Sequence, residues 1–118
     1  MAYDQNNIFA KILRGEIPCA KVFENDHVLA FNDIAQQAPV HVLIIPKGAY
    51  ESFADFSQNA SEEEIVSLNR AVGEIAREKG IVETGYRVIS NHGQNARQEV
   101  PHYHVHLLGG NDLGVCFN

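Results

Sequence analysis

Pro101-His102-Tyr103-His104-Val105-His106-Leu107-Leu108-Gly109-Gly110 alternates histidine with apolar or aromatic residues and closes on two glycines. Successive side chains of a strand point to opposite faces, so Tyr103 to Leu108 reads as a strand with His102, His104 and His106 on one side. Tyr103, Val105 and Leu107 then face the other side, towards a core. The histidines are neither contiguous nor terminal, so they are no purification tag.

Working outward, Val40-His41-Val42-Leu43-Ile44-Ile45-Pro46 is a continuous β-branched run of strand length, closed by proline. It reads as a central strand buried on both faces. Lys21 to Phe23 and Val28 to Phe31 form a hairpin around Glu24-Asn25-Asp26, and Tyr86 to Ser90 supplies a fifth strand. Ile8, Phe9, Ile12 and Leu13 recur at helical spacing and stop at Gly15, with Pro18 beyond, so a short amphipathic helix should lie on the sheet. Ser61 with Glu64 makes a capping box, and Ile65, Leu68, Val72 and Ile75 follow at 3-4-3 spacing until Gly80. The apolar face of that helix is available to the core or to a partner. Helices and hairpins come in separate blocks without βαβ alternation, which predicts an α+β fold with a mainly antiparallel five-stranded sheet and two main helices, a single domain over 1–118.

The net charge of −6 argues against nucleic-acid binding, which needs many Lys and Arg at phosphates. A single nucleotide remains open to backbone N–H groups and a few local donors. No apolar run approaches the roughly 20 residues of a membrane span, so no membrane partner and a cytoplasmic location are expected. Cys19 and Cys116 lie far apart without a CxxC pairing, which predicts free thiols.

Three readings of the histidine cluster stand side by side. A lone histidine such as His27 is ordinarily a surface or satisfied core residue, but three in register are a rarer pattern among the 6 in this chain. A zinc site is possible but not favoured: His102 and His106 start roughly 13 Å apart along a strand, and about 2.1 Å from one ion would need a sharp bend. Phosphoryl or nucleotidyl transfer fits without bending, because a phosphate offers several oxygens to a row of imidazoles. A central imidazole with one unprotonated nitrogen can attack phosphorus while its neighbours donate to non-bridging oxygens.

The stretch His102 to Leu108 resembles the histidine-triad signature His-φ-His-φ-His-φ-φ, with φ apolar. Ile8-Phe9-Ala10-Lys11-Ile12, Gly15-Glu16-Ile17-Pro18, Ala30-Phe31-Asn32-Asp33-Ile34, Ala38 to Lys47 and Gly109-Gly110 are similar to the Hint branch of that family. The resemblance implies His104 as the nucleophile forming a nucleotidyl-histidine, its second nitrogen held by a backbone carbonyl. It implies His106 at the phosphate oxygens, His102 in support from behind, and His41 as a fourth histidine hydrogen-bonded to His102. Asp33 would accept from the ribose hydroxyls, with Ile8, Phe9, Ile12, Phe31 and Ile34 around the base, and Asn91 and Gln98 near the phosphates. Gly93 would allow an unusual backbone angle in that loop.

Three positions depart from the Hint-like pattern: Glu99 where a Ser or Thr is usual, Arg97 where glycine is usual, and Pro101 where an aromatic is frequent. Glu99, as a residue beside the phosphates, puts leaving-group choice in question. The expected function is hydrolysis of nucleoside 5′-phosphoramidates, with an AMP- or GMP-type nucleotide as partner and no cofactor required. The rival expectations are dinucleoside polyphosphate hydrolysis, motivated by Arg97, and a nucleotide-binding module with little turnover, motivated by Glu99. The resemblance also implies a homodimer whose two sheets join into ten strands.

Overall fold

Five antiparallel strands form one sheet in the computed structural model of this chain, which describes residues 2–117. The strands are β1 (Lys21–Glu24), β2 (Val28–Asn32), β3 (Val40–Pro46), β4 (Tyr86–Ile89) and β5 (Val105–Gly109), in the spatial order β1-β2-β3-β5-β4. As the β-branched run predicts, β3 is central and every residue from His41 to Pro46 is buried. A strand covered on both faces loses the polar alternation of a half-exposed one.

What covers the two faces differs. On one, α2 (Phe53–Asn59) and α3 (Glu62–Glu78) bring Phe56, Leu68, Ala71 and Ile75 onto Val28, Ala30, Val42, Ile44, Val105 and Leu107. On the other, α1 (Ile8–Leu13) lays Phe9, Ile12 and Leu13 over Leu29, Phe31, Leu43 and Ile45. The expected capping box of α3 is present, with the Ser61 side chain accepting from the Glu64 N–H and the Glu64 side chain from the Ser61 N–H. The apolar face of α3 serves the core: Leu68 is buried, and Ile65 and Val72 pack against the same cluster.

Two differences from the sequence reading have physical reasons. Helix α2 was not anticipated; it is short, and its apolar residues Phe53 and Phe56 offer a single i, i+3 pair, although Ser52 capping the Asp55 N–H is a legible start. Strand β5 begins at Val105 rather than Tyr103, because the His102 and Tyr103 N–H groups donate to Val100 O (2.8 Å) and Tyr50 O (2.7 Å) instead of joining the ladder. The chain leaves β5 through Gly110 at φ +97°, where a Cβ would also lie 3.0 Å from Pro39 Cβ.

Leu107 is fully buried between β5 and the helices. Leu107→Ala should cost about 2–5 kcal/mol, because the two-helix side of the core cannot close over the missing atoms. Urea denaturation measures this, and a loss below about 1 kcal/mol would contradict the packing described.

Candidate active site

A cavity of about 450 Å³ opens between α1, the end of β2, the loop 91–100 and β5. That volume suits a small-molecule ligand. Ile8, Phe9, Ile12, Phe31, Asp33, Ile34, Asn91, Gln98, Glu99, His104 and His106 all line it, so the structure brings together nearly every residue singled out from the sequence. Leu43 forms part of the apolar floor, and Ile17 and Cys19 part of the wall; these were not anticipated, because nothing local distinguishes them from ordinary core and loop residues. Ile34 is fully exposed at the mouth, an apolar side chain without cover. Cys19 and Cys116 are both free thiols, as expected.

The histidines share one side of the sheet but not one depth. His104 and His106 reach the cavity, whereas His102 is fully buried beneath Phe9 and Tyr3. Their hydrogen bonds fix the proton positions, since a carbonyl only accepts and an amide N–H only donates. His104 Nδ1 lies 2.7 Å from its acceptor, the His102 carbonyl, so Nδ1 carries the proton and the Nε2 lone pair is free. His102 donates Nε2–H to Pro46 O at 2.8 Å, and its Nδ1 accepts from the Tyr3 hydroxyl. The Gln37 N–H donates to His41 Nδ1 at 3.0 Å, so His41 holds its proton on Nε2 and donates to His106 Nδ1 at 2.9 Å. In the neutral ring His106 then carries its proton on Nε2.

One expectation is corrected here. His41 bonds to His106, not to His102, because strand register sets Leu43 opposite His106 and His41 opposite Leu108, which places His106 diagonally across from His41 and His102 far beyond it. Gln98, which lines the cavity, also has a second task. Its side chain accepts from the Gly93 N–H at 2.9 Å and donates to Glu51 O and Val100 O, so its amide braces the loop.

Asp33 combines two roles. One oxygen accepts from the Ala35 N–H as a turn aspartate does, and the other lies 3.4 Å from His41 Nε2 at the cavity wall. Asp33, His41 and His106 place one ligand atom each within 4.8 Å of one another. Metal binding at that cluster meets an obstacle in His41: with Nδ1 already accepting from Gln37 N–H, its Nε2 is protonated and has no lone pair to give.

Burial keeps the rings neutral. It lowers His102 to about 4 and, helped by the neighbouring His104 and His41, His106 to about 4. His104 is lowered as well, chiefly by burial, against the pull of the His102 carbonyl and of Asp33 and Glu99.

In the loop beneath the cavity, Gly93 adopts φ +75°, as expected of a glycine there. Arg97 is the one non-glycine residue with positive φ among the described residues, at φ 58° and ψ 43°. A side chain there costs about 1 kcal/mol, which explains why glycine suits the position.

The sequence profile of the HIT domain family matches residues 14–113. This chain belongs to the HIT family. It is 61% identical over 112 residues to an uncharacterized 13.2 kDa HIT-like protein of Azospirillum brasilense, covering 95% of this chain and 92% of that one. It is 44% identical over 110 residues to the purine nucleoside phosphoramidase of Escherichia coli, covering 93% and 92%. Among solved structures, a HIT family hydrolase from Legionella pneumophila superposes with a TM-score of 0.87 at 40% identity, covering 92% and 96%. The five-stranded antiparallel sheet is thus the HIT fold, and the hydrolase class expected from the triad is the class that the Escherichia coli and Legionella pneumophila proteins carry.

The two deeply lowered histidines fix a pH dependence. Unfolded, His102 and His106 titrate near about 6.5; folded, they titrate near about 4. Between those values the unfolded chain binds more protons, so stability falls as pH drops through the window and is unaffected by these rings above it. Carboxylates lowered in the fold, such as Glu24 at about 2, act on the acid side of that window. Thermal melts should therefore decline from about pH 6.5 downwards, and a flat profile to about pH 4.5 would contradict the neutral burial of these rings.

Proposed function

We propose that this HIT protein hydrolyses purine nucleoside 5′-phosphoramidates through a nucleotidyl-histidine on His104. The observation that carries the reading is the bond from His104 Nδ1–H to the His102 carbonyl, which leaves an unprotonated Nε2 on a ring that lines the cavity. Burial keeps that nitrogen a free base at neutral pH.

The apolar slot of Ile8, Phe9, Ile12, Phe31 and Ile34 takes the base, and the Asp33 carboxylate accepts hydrogen bonds from the ribose hydroxyls. His104 Nε2 attacks the α-phosphorus; the P–N bond breaks, and the leaving nitrogen keeps the electron pair and takes a proton from solvent at the cavity mouth. His106, neutral and held by His41, donates its outer N–H to a non-bridging oxygen as negative charge develops. Water then attacks phosphorus, the electron pair returns to His104 Nε2, and the proton of the water passes to solvent. The relative from Escherichia coli that carries the name purine nucleoside phosphoramidase supports the substrate class. The histidine donors supply what this chemistry asks, and no metal or other cofactor is assigned a part.

Arg97 lines the same cavity and favours a second reading, cleavage of dinucleoside polyphosphates, with its guanidinium on a further phosphate. Glu99, also on the wall, would instead slow turnover if it repels the phosphate, leaving a nucleotide-binding module. A homodimer is part of the proposal: β4 is an edge strand, and its Tyr86 and Val88 are exposed near Phe53, itself half exposed.

His104→Ala should lower turnover of an adenosine phosphoramidate by at least about a thousandfold while AMP still binds; turnover that persists sinks the nucleophile. Faster cleavage of a diadenosine polyphosphate than of the phosphoramidate would favour the Arg97 reading. Glu99→Ser should leave AMP affinity within about threefold; a sharp gain in rate, tenfold or more, would instead support the low-turnover module. Sedimentation at micromolar concentration should give twice the chain mass, and a monomer would overturn the dimer.

A further inference from the structure

His102 does not touch the cavity, yet its carbonyl is the group that sets the tautomer of His104. That carbonyl lies outside the β5 ladder, so sheet pairing does not aim it. The peptide that bears it is tied by the Tyr103 N–H to Tyr50 O at 2.7 Å, and the rest of His102 is held by three bonds: its N–H to Val100 O at 2.8 Å, its Nε2–H to Pro46 O at 2.8 Å, and its Nδ1, which accepts from the Tyr3 hydroxyl. The Tyr3 ring also meets the His102 ring edge-on, with centroids 5.6 Å apart.

Tyr3 is brought there by a tight turn, not by a strand or helix. Asn7 caps α1 by accepting from the Ala10 N–H at 2.8 Å, and its Nδ2 donates to Asp4 O at 2.7 Å. Asp4 in turn accepts from the Asn6 N–H at 2.9 Å. The same cap that starts α1, and so sets Phe9 against His104 at 5.0 Å, therefore presents Tyr3 to His102. Tyr3 precedes the residues 14–113 that the family profile matches.

We propose that Tyr3 is a positioning residue for the nucleophile: its hydroxyl locks the His102 ring, and through it the carbonyl from which His104 hangs. The inference rests on the reading of His104 as nucleophile. A fully buried imidazole acceptor that loses its donor must find water or rotate, and either moves the His102 Cα from which the carbonyl's peptide starts, while the Tyr103 N–H bond to Tyr50 O still anchors the other end of that peptide. Burial raises the Tyr3 phenol, so it remains a donor at working pH.

Tyr3→Phe keeps the ring and removes the donor. With an adenosine phosphoramidate, its kcat should fall about tenfold while AMP affinity stays near the wild-type value and the melting temperature drops by no more than several degrees. Nitrogen-15 spectra of the histidine rings, read without any substrate, should shift at His102 Nδ1 and at His104. A kcat within twofold of wild type, or ring signals superimposable on wild type, overturns the proposal. Rate, AMP affinity and melting temperature falling together also overturn it, since Tyr3 would then support the fold and not the nucleophile. Should wild-type turnover survive His104→Ala, the nucleophile reading fails by itself, and the ring spectra still decide whether Tyr3 holds His102.

Discussion

The hydrogen bond from His104 Nδ1–H to the carbonyl of His102, at 2.7 Å, is the constraint around which the site is arranged. In a regular strand the carbonyl two residues back lies in the plane of the sheet and is spent on a neighbour. It is available to the imidazole because pairing of β5 with β3 starts only at Val105 opposite Ile44. Residues 102–104 therefore keep the side-chain alternation of a strand without its ladder. That combination allows histidines at i and i+2 to act on one another through the backbone.

The same logic extends across the cluster. Two of the four rings are fixed by backbone acceptors, His102 by Pro46 O and His104 by His102 O, and His41 is fixed by a backbone donor, Gln37 N–H. His106 inherits its tautomer from His41. Backbone groups cannot change protonation state, so a network that ends on them keeps its polarity over a wide pH range. Desolvation works in the same direction by opposing the imidazolium form of His102, His104 and His106. An acidic chain can in this way face a phosphate with neutral donors and a neutral base instead of with a surplus of Lys and Arg.

What could be read from the sequence was what local patterns determine. The hairpin, the central strand and the long helix follow from alternation, β-branching and a capping box, all visible within a few residues. The cavity wall was legible through resemblance, since Asp33 and the apolar residues around it fall in matching blocks. Long-range register was not. The partner of His41 depends on which residue of β5 lies opposite β3, a fact no local window contains, and the pairing of His41 with His106 follows only from it. Tyr3 was invisible for a related reason: it carries no periodicity, and its contact spans nearly the whole chain.

The loop 93–98 shows why residue types can change beside the triad without loss of the site. Its path is set by the backbone of Gly93 at positive φ and by the Gln98 amide, which ties Gly93, Glu51 and Val100 together. Neither device involves the side chains of Arg97 or Glu99, which are exposed and line the cavity. Arg97 even occupies a backbone conformation that disfavours it, so the bracing imposes the path on whatever residue stands there. A scaffold that is indifferent to these two side chains frees them to differ in charge and reach. Side chains at this pair can therefore change at least cost to the fold, while the histidines, each bound to backbone or to another ring, are the positions least free to move.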